Sequence, residues 1–132
     1  MAGIKTIDLA LEATEVIQLR IDFQVSLVFS DLSSVSFGCP FILTRADGTE
    51  ISIDPEGDKA ALVEVLQLHT CAVTRGQVLG EMLFIEFDHG TTIRCFPDAQ
   101  YEAWEYFGKD KNPERIISTP GGELSIWNAK PA

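Results

Sequence analysis

The chain has 132 residues, 45% of them hydrophobic and 9% aromatic, which excludes a disordered polymer and fits one domain whose core needs neither metal nor disulfide. Asp and Glu number 20 against 10 Lys and Arg, a formal charge of -10. That balance lacks the basic footprint phosphate binding requires, so nucleic acid is excluded as a partner; it suits plain solubility, and equally docking onto a basic protein.

Cys39, Cys71 and Cys95 have no C-x-x-C spacing, which fits a reducing compartment better than a disulfide framework. The opening Met-Ala-Gly-Ile-Lys has no signal-peptide pattern, and no apolar run reaches the length of a membrane span. A cytoplasmic protein with no membrane partner is expected.

In chain order, Ile7, Leu9 and Leu11 alternate and predict a first edge strand. Val16 to Phe23 and Val25 to Phe29 alternate more clearly, as half-buried strands do. Ser30-Asp31-Leu32-Ser33 is the turn before Val35, Phe37 and Cys39, and Pro40 ends or bends that strand. Phe41-Ile42-Leu43 and Ile51-Ser52-Ile53 flank Asp47-Gly48, a strong hairpin signal. Asp54-Pro55 then reads as a helix start, with Leu62, Val65 and Leu66 at helical spacing through Leu68. Strands resume from His69, with Leu83, Ile85 and Phe87, a turn at Asp88-His89-Gly90, then Ile93 and Cys95.

Pro97-Asp98 predicts a second helix ending at Gly108. A polar loop over Lys109–Pro113 follows, then a last hairpin around Pro120-Gly121-Gly122 and a short tail. Phe29 and Phe87 share one offset with Leu27 and Ile85, Ser34 and Thr92, and Val35 and Ile93. We read this as an internal repeat with halves at about 15–68 and 69–127 inside one domain, 1–132. Any two meander hairpins resemble each other, and the duplication stands slightly ahead of that simpler reading. The expected fold class is α+β: a mostly antiparallel curved sheet or partial barrel of roughly eight to ten strands, with a pseudo-twofold repeat and two short helices.

Catalytic chemistry is sparse. His69 and Cys71 would share a strand face and, with Cys95 or His89, could ligate zinc, but their spacing matches no known metal pattern, and strand cysteines serve mostly as small hydrophobes. Cys95 beside Arg94 reads as a core thiol rather than a nucleophile. No Gly-x-Ser-x-Gly elbow or phosphate loop occurs. No catalytic residue, metal or cofactor is expected, and the chain does not read as an enzyme. Asp98, Glu102 and Glu105 have the spacing of a solvated helix face, or of an acidic patch for a cationic partner. With Tyr101 they make the candidate partner-binding set, since aromatic side chains supply buried area and carboxylates supply steering. Tyr101, Trp104 and Trp127 are the candidate lining of an aromatic pocket, although core packing is the commoner fate of a residue such as Trp104.

Tyr101-Glu102-Ala103-Trp104, the preceding Pro97-Asp98, and Gly121-Gly122-Glu123-Leu124 with Trp127 resemble a family of small acidic bacterial proteins of unknown function, over most of residues 15–127. The first-half turn departs from it, with Ser30-Asp31-Leu32-Ser33 where Asp-Gly would be expected. Members are similar to proteins found beside polymorphic or contact-dependent toxins, which implies an immunity protein that covers a toxin's active site. An effector acting on nucleic acid or nucleotide would offer a basic cleft. The alternative is a small-molecule-binding or regulatory module using the aromatic pocket. Homodimerisation through an edge strand stays open.

Overall fold

The structure, a computed structural model, describes residues 5–109 and 114–127. The expected Lys109–Pro113 loop beyond Lys109, and the tail after Trp127, lie outside the described residues. Alternating apolar positions become strands throughout: β1 (Thr6–Asp8), β2 (Val16–Ile21), β3 (Val25–Phe29), β4 (Ser34–Phe37), β5 (Phe41–Thr44) and β6 (Glu50–Ile53) come first. A 3-10 turn, Lys59–Leu62, runs into a single α-helical turn, α1 (Val63–Leu66). Then follow β7 (Val73–Leu79), β8 (Met82–Phe87), β9 (Thr92–Cys95), β10 (Trp104–Phe107), β11 (Arg115–Ser118) and β12 (Leu124–Trp127).

These strands form two six-stranded antiparallel sheets, ordered β1-β7-β8-β9-β5-β6 and β12-β11-β10-β4-β3-β2. Each sheet holds one three-strand meander, β7-β8-β9 or β2-β3-β4, extended by the strands that follow the other meander, β5-β6 beside β9 and β10-β11-β12 beside β4. The chain therefore changes sheets after β1, after β4 and again after β9. Gly38-Cys39-Pro40 makes the crossing from β4 to β5, and Phe37 and Phe41 stack across it with ring centroids 4.4 Å apart.

The meanders meet where β2 and β7 begin. Val16 N–H donates to Cys71 O at 3.0 Å, and Val73 N–H donates to Thr14 O at 2.7 Å. Ser30 N–H donates to Glu15 O and Asp88 N–H to Ala72 O, the same contact in each half. Both leading strands also carry a bulge just past this point, between Val16 and Gln18 and between Val73 and Arg75. The extra residue in the first leaves Ile17 and Gln18 both exposed between buried Val16 and half-buried Leu19.

One hydrophobic cluster draws on both sheets, including Leu27, Phe29, Val35 and Phe37 from one and Leu43, Leu83, Ile85 and Ile93 from the other. Two polar tips tie the layers together: Trp104 Nε1–H donates to Glu81 O at 3.3 Å, and Tyr106 O–H donates to Leu9 O at 3.2 Å. Buried aromatic residues with a polar tip need such partners. Gly76 is required by packing, because a Cβ there would lie 2.7 Å from Leu11 Cδ1, and Leu11 is fully buried.

The α+β class, the single curved sheet or partial barrel and the two helices are corrected by this arrangement, which is nearly all sheet. The first helix shrinks because Asp54 closes its own turn, accepting from Glu56 N–H through Oδ1 and from Gly57 N–H through its carbonyl. Helical structure starts only at Asp58, whose carboxylate accepts from Ala60 N–H. The second helix does not form. Asp98 does cap, its Oδ2 accepting from Gln100 and Tyr101 N–H at 2.8 and 2.9 Å. The capped turn then yields to the sheet: Ala103 N–H donates to Ser118 O, Gly38 N–H donates to Ala103 O, and Trp104–Phe107 pairs with β4 and β11. Trp104 and Tyr106 alternate inward, a period-two signal inside a segment too short for spacing alone to separate strand from helix.

Candidate functional site

Three connections converge beside the β4–β5 crossing. Between β2 and β3, Asp22 Oδ1 accepts from Gln24 N–H at 2.7 Å and Asp22 N–H donates to Gln24 O, closing a hairpin tip that projects Phe23 into solvent at 79% exposure. After β6, the Asp54 turn presents Pro55 and Glu56. Before β10, the Asp98 turn presents Tyr101, 66% exposed, and Glu102. Gly38 lets Glu102 approach, since a Cβ there would sit 3.1 Å from Glu102 O.

Phe23, Gln24, Gly38, Glu56, Tyr101 and Glu102 line a groove of about 480 Å3. A second hollow of about 360 Å3, lined by Ile21, Asp22, Phe23, Pro55, Glu56 and Lys59, shares Phe23 and Glu56 with it. Among these lining residues three carboxylates face one cation, Lys59. The negative field extends inward. The Cys39 thiol, whose Sγ lies 3.7 Å from Glu102 O, is pushed up by burial and then by Asp98, Asp54 and Glu56. Two solvent-facing aromatic side chains rimmed by carboxylates can clamp an apolar or cationic side chain of a partner.

The residues expected to bind a partner are thus partly gathered. Tyr101 and Glu102 lie in the groove. Asp98 shapes the loop and adds charge behind it. Glu105 stands on β10, hydrogen-bonded to Arg115 Nε, while the Arg115 guanidinium lies 5.2 Å from the Phe107 ring centroid. The expected aromatic trio is dispersed. Trp104 is 1% exposed, Trp127 sits on edge strand β12 with Nε1–H donating to Ser125 Oγ, and neither lines the Tyr101 groove. Phe23 and Glu56 escaped the sequence reading. The available signal was a phenylalanine between Asp22 and Gln24, at a hairpin tip where polar residues are the rule.

The cysteine and histidine expectations also change. His69 lies in the Gln67–Thr70 turn rather than on a strand, with Nε2 3.1 Å from Ile17 O, so it does not share a strand face with Cys71. Burial pushes the Cys95 thiol up to about 12, Cys39 adding to it, which leaves Cys95 protonated at neutral pH as a core residue. Among the described residues no helix is long and apolar enough to cross a membrane.

No curated protein and no solved structure matches the chain. A family model does match, over residues 7–128, and the chain belongs to that family, the DUF6188 family of unknown function.

Proposed function

We propose that this protein is an immunity factor, a binding protein rather than an enzyme, which neutralises a cognate bacterial protein toxin by covering its active site. The single observation that carries this reading is the groove in which exposed Phe23 and Tyr101 stand with Glu56 and Glu102, Asp22 lining the adjoining hollow. Exposed aromatic anchors supply contact area at small entropic cost, and a carboxylate rim on a chain of charge -10 steers a basic surface toward them. A toxin acting on nucleic acid or nucleotide would carry that basic surface around its own cleft, so one contact would serve recognition and inhibition together. A cytoplasmic location belongs to the same proposal, since the toxin would be met where it acts.

The test is co-expression with the product of the adjacent reading frame, followed by size-exclusion chromatography. Co-elution is expected, with protection of cells from that product. Tyr101→Ala combined with Glu102→Lys should break the complex and remove protection, with the melting temperature of the free protein little changed. Glu105→Lys alters net charge as much as Glu102→Lys does, but outside the groove, and should leave most of the affinity intact. Separate elution at micromolar concentration, or equal sensitivity to both charge reversals, would overturn the groove reading.

A further inference from the structure

Cys71, Asp88 and His89 are distant in sequence from the groove and meet elsewhere on the molecule. One ligating atom from each, a sulfur, a carboxylate oxygen and an imidazole nitrogen, lies within 4.8 Å of the other two. His89 Nδ1 and Asp88 Oδ1 are 3.8 Å apart. We propose that these three side chains bind a divalent transition-metal ion, zinc above others.

The donor set fits that ion. Zinc takes thiolate, imidazole and carboxylate ligands in tetrahedral geometry, and bonds of about 2.0–2.2 Å hold a nitrogen and an oxygen ligand roughly 3.4 Å apart. The observed nitrogen–oxygen separation exceeds this by a fraction of an ångström, within reach of a small rotation of exposed side chains. The three positions are also fixed by backbone. Cys71 precedes β7, Asp88 and His89 form the β8–β9 turn, and the Asp88 N–H donates to Ala72 O at 2.9 Å, clamping the turn beside the cysteine.

The fold does not demand these residues. In the other meander the corresponding places hold Thr14, Ser30 and Asp31, and the same backbone bonds form without a sulfur or imidazole. A soft donor set therefore stands in one half where hydroxyls and a carboxylate satisfy the other. Three protein ligands leave a tetrahedral ion one open position. His89 and Gln67, whose carbonyl lies 3.4 Å from Cys71 Sγ, also line a hollow of about 310 Å3, room for water or a small anion there.

The experiment is a titration of the full chain with Co2+, which reports thiolate coordination through an intense near-ultraviolet charge-transfer band. A saturable band at one equivalent, displaced by Zn2+, is expected, together with a higher melting temperature in Zn2+. Cys71→Ser should abolish the band. Asp88→Asn and His89→Gln, both on an exposed turn, should each weaken affinity by about tenfold or more, a scale already reached by losing an outer-shell partner. No saturable band, or a band that survives Cys71→Ser in a variant that melts as a folded protein, would overturn the site. Because no toxin partner enters the measurement, its outcome is independent of the immunity reading.

Discussion

Leu32 and Gly90 occupy the same place in matching turns, and both are left-handed, with φ of 72° and 92°. Leu32 N–H donates to Phe29 O and Gly90 N–H to Phe87 O, while Phe29 and Phe87 N–H reach Ser33 and Thr91 O at 2.9 Å each. One turn meets the backbone's demand with glycine. The other forces it on a leucine that is 71% exposed and has little packing to lose. Left-handed backbone costs an L-residue roughly 1–2 kcal/mol, against which glycine's greater freedom when unfolded takes back about 0.5–1 kcal/mol. Leu32→Gly should therefore raise stability by about 0.5–1 kcal/mol in denaturant titration. At the other turn a Cβ on Gly90 would lie 3.0 Å from Ala46 Cβ, so Gly90→Ala should destabilise. Equal effects of opposite substitutions at both turns would refute the equivalence.

Gly76 and Leu11 give a second prediction. The alanine methyl of Gly76→Ala must displace a leucine side chain that has no exposed surface to move into, an overpacking that costs about 1–3 kcal/mol. Shortening Leu11 makes room. The double variant Gly76→Ala, Leu11→Ala should lose less than the sum of the two single variants, since residues in contact couple. Simple additivity would show that Leu11 relaxes freely and that glycine is not needed there.

The two tryptophans should separate cleanly. Trp104 is buried and bonded to Glu81 O, so Trp104→Ala should cost about 3–5 kcal/mol. Trp127, 58% exposed, should cost within about 0.5 kcal/mol when changed to alanine. Fluorescence offers an independent check: Trp127→Phe should leave a blue-shifted emission from Trp104. A red, solvent-like spectrum in that variant would place Trp104 at the surface and undo the assignment of β10 to the core.

The strands were legible because apolar alternation is local, and so were the turns at Asp47-Gly48 and Asp88-His89-Gly90. The helix over 98–108 was misread although its start signal was real, since Asp98 does hold two amide groups. What decides that segment is its two neighbours, β11 just after it and β4 far back along the chain, which take its backbone hydrogen bonds. Propensity yields to such pairing. For the same reason half the candidate site was visible and half was not. Tyr101 and Glu102 announce themselves in one motif, whereas Phe23 and Glu56 join them only because two other loops end at the same crossing.

Acid should loosen the contact between the β5–β6 hairpin and the helical segment. Arg45 Nε and Nη2 donate to Glu64 at 2.8 and 2.7 Å, and those bonds, with the guanidinium charge, hold the Glu64 carboxyl below its usual 4.5 against the opposing effect of burial. A folded-state value below the unfolded one means that the unfolded chain binds the extra proton as pH falls. The contribution is thus fully present above the ordinary carboxylate value and is lost as pH drops through the folded-state one. Glu64→Gln should flatten the acid limb of stability against pH while changing little of its shape at neutral pH. Arg45→Gln should flatten it as well, by returning Glu64 to its ordinary value. Denaturant titrations at a series of pH values down through the carboxylate range measure this directly, and an unchanged acid limb in both variants would show that the pair contributes nothing to stability in water.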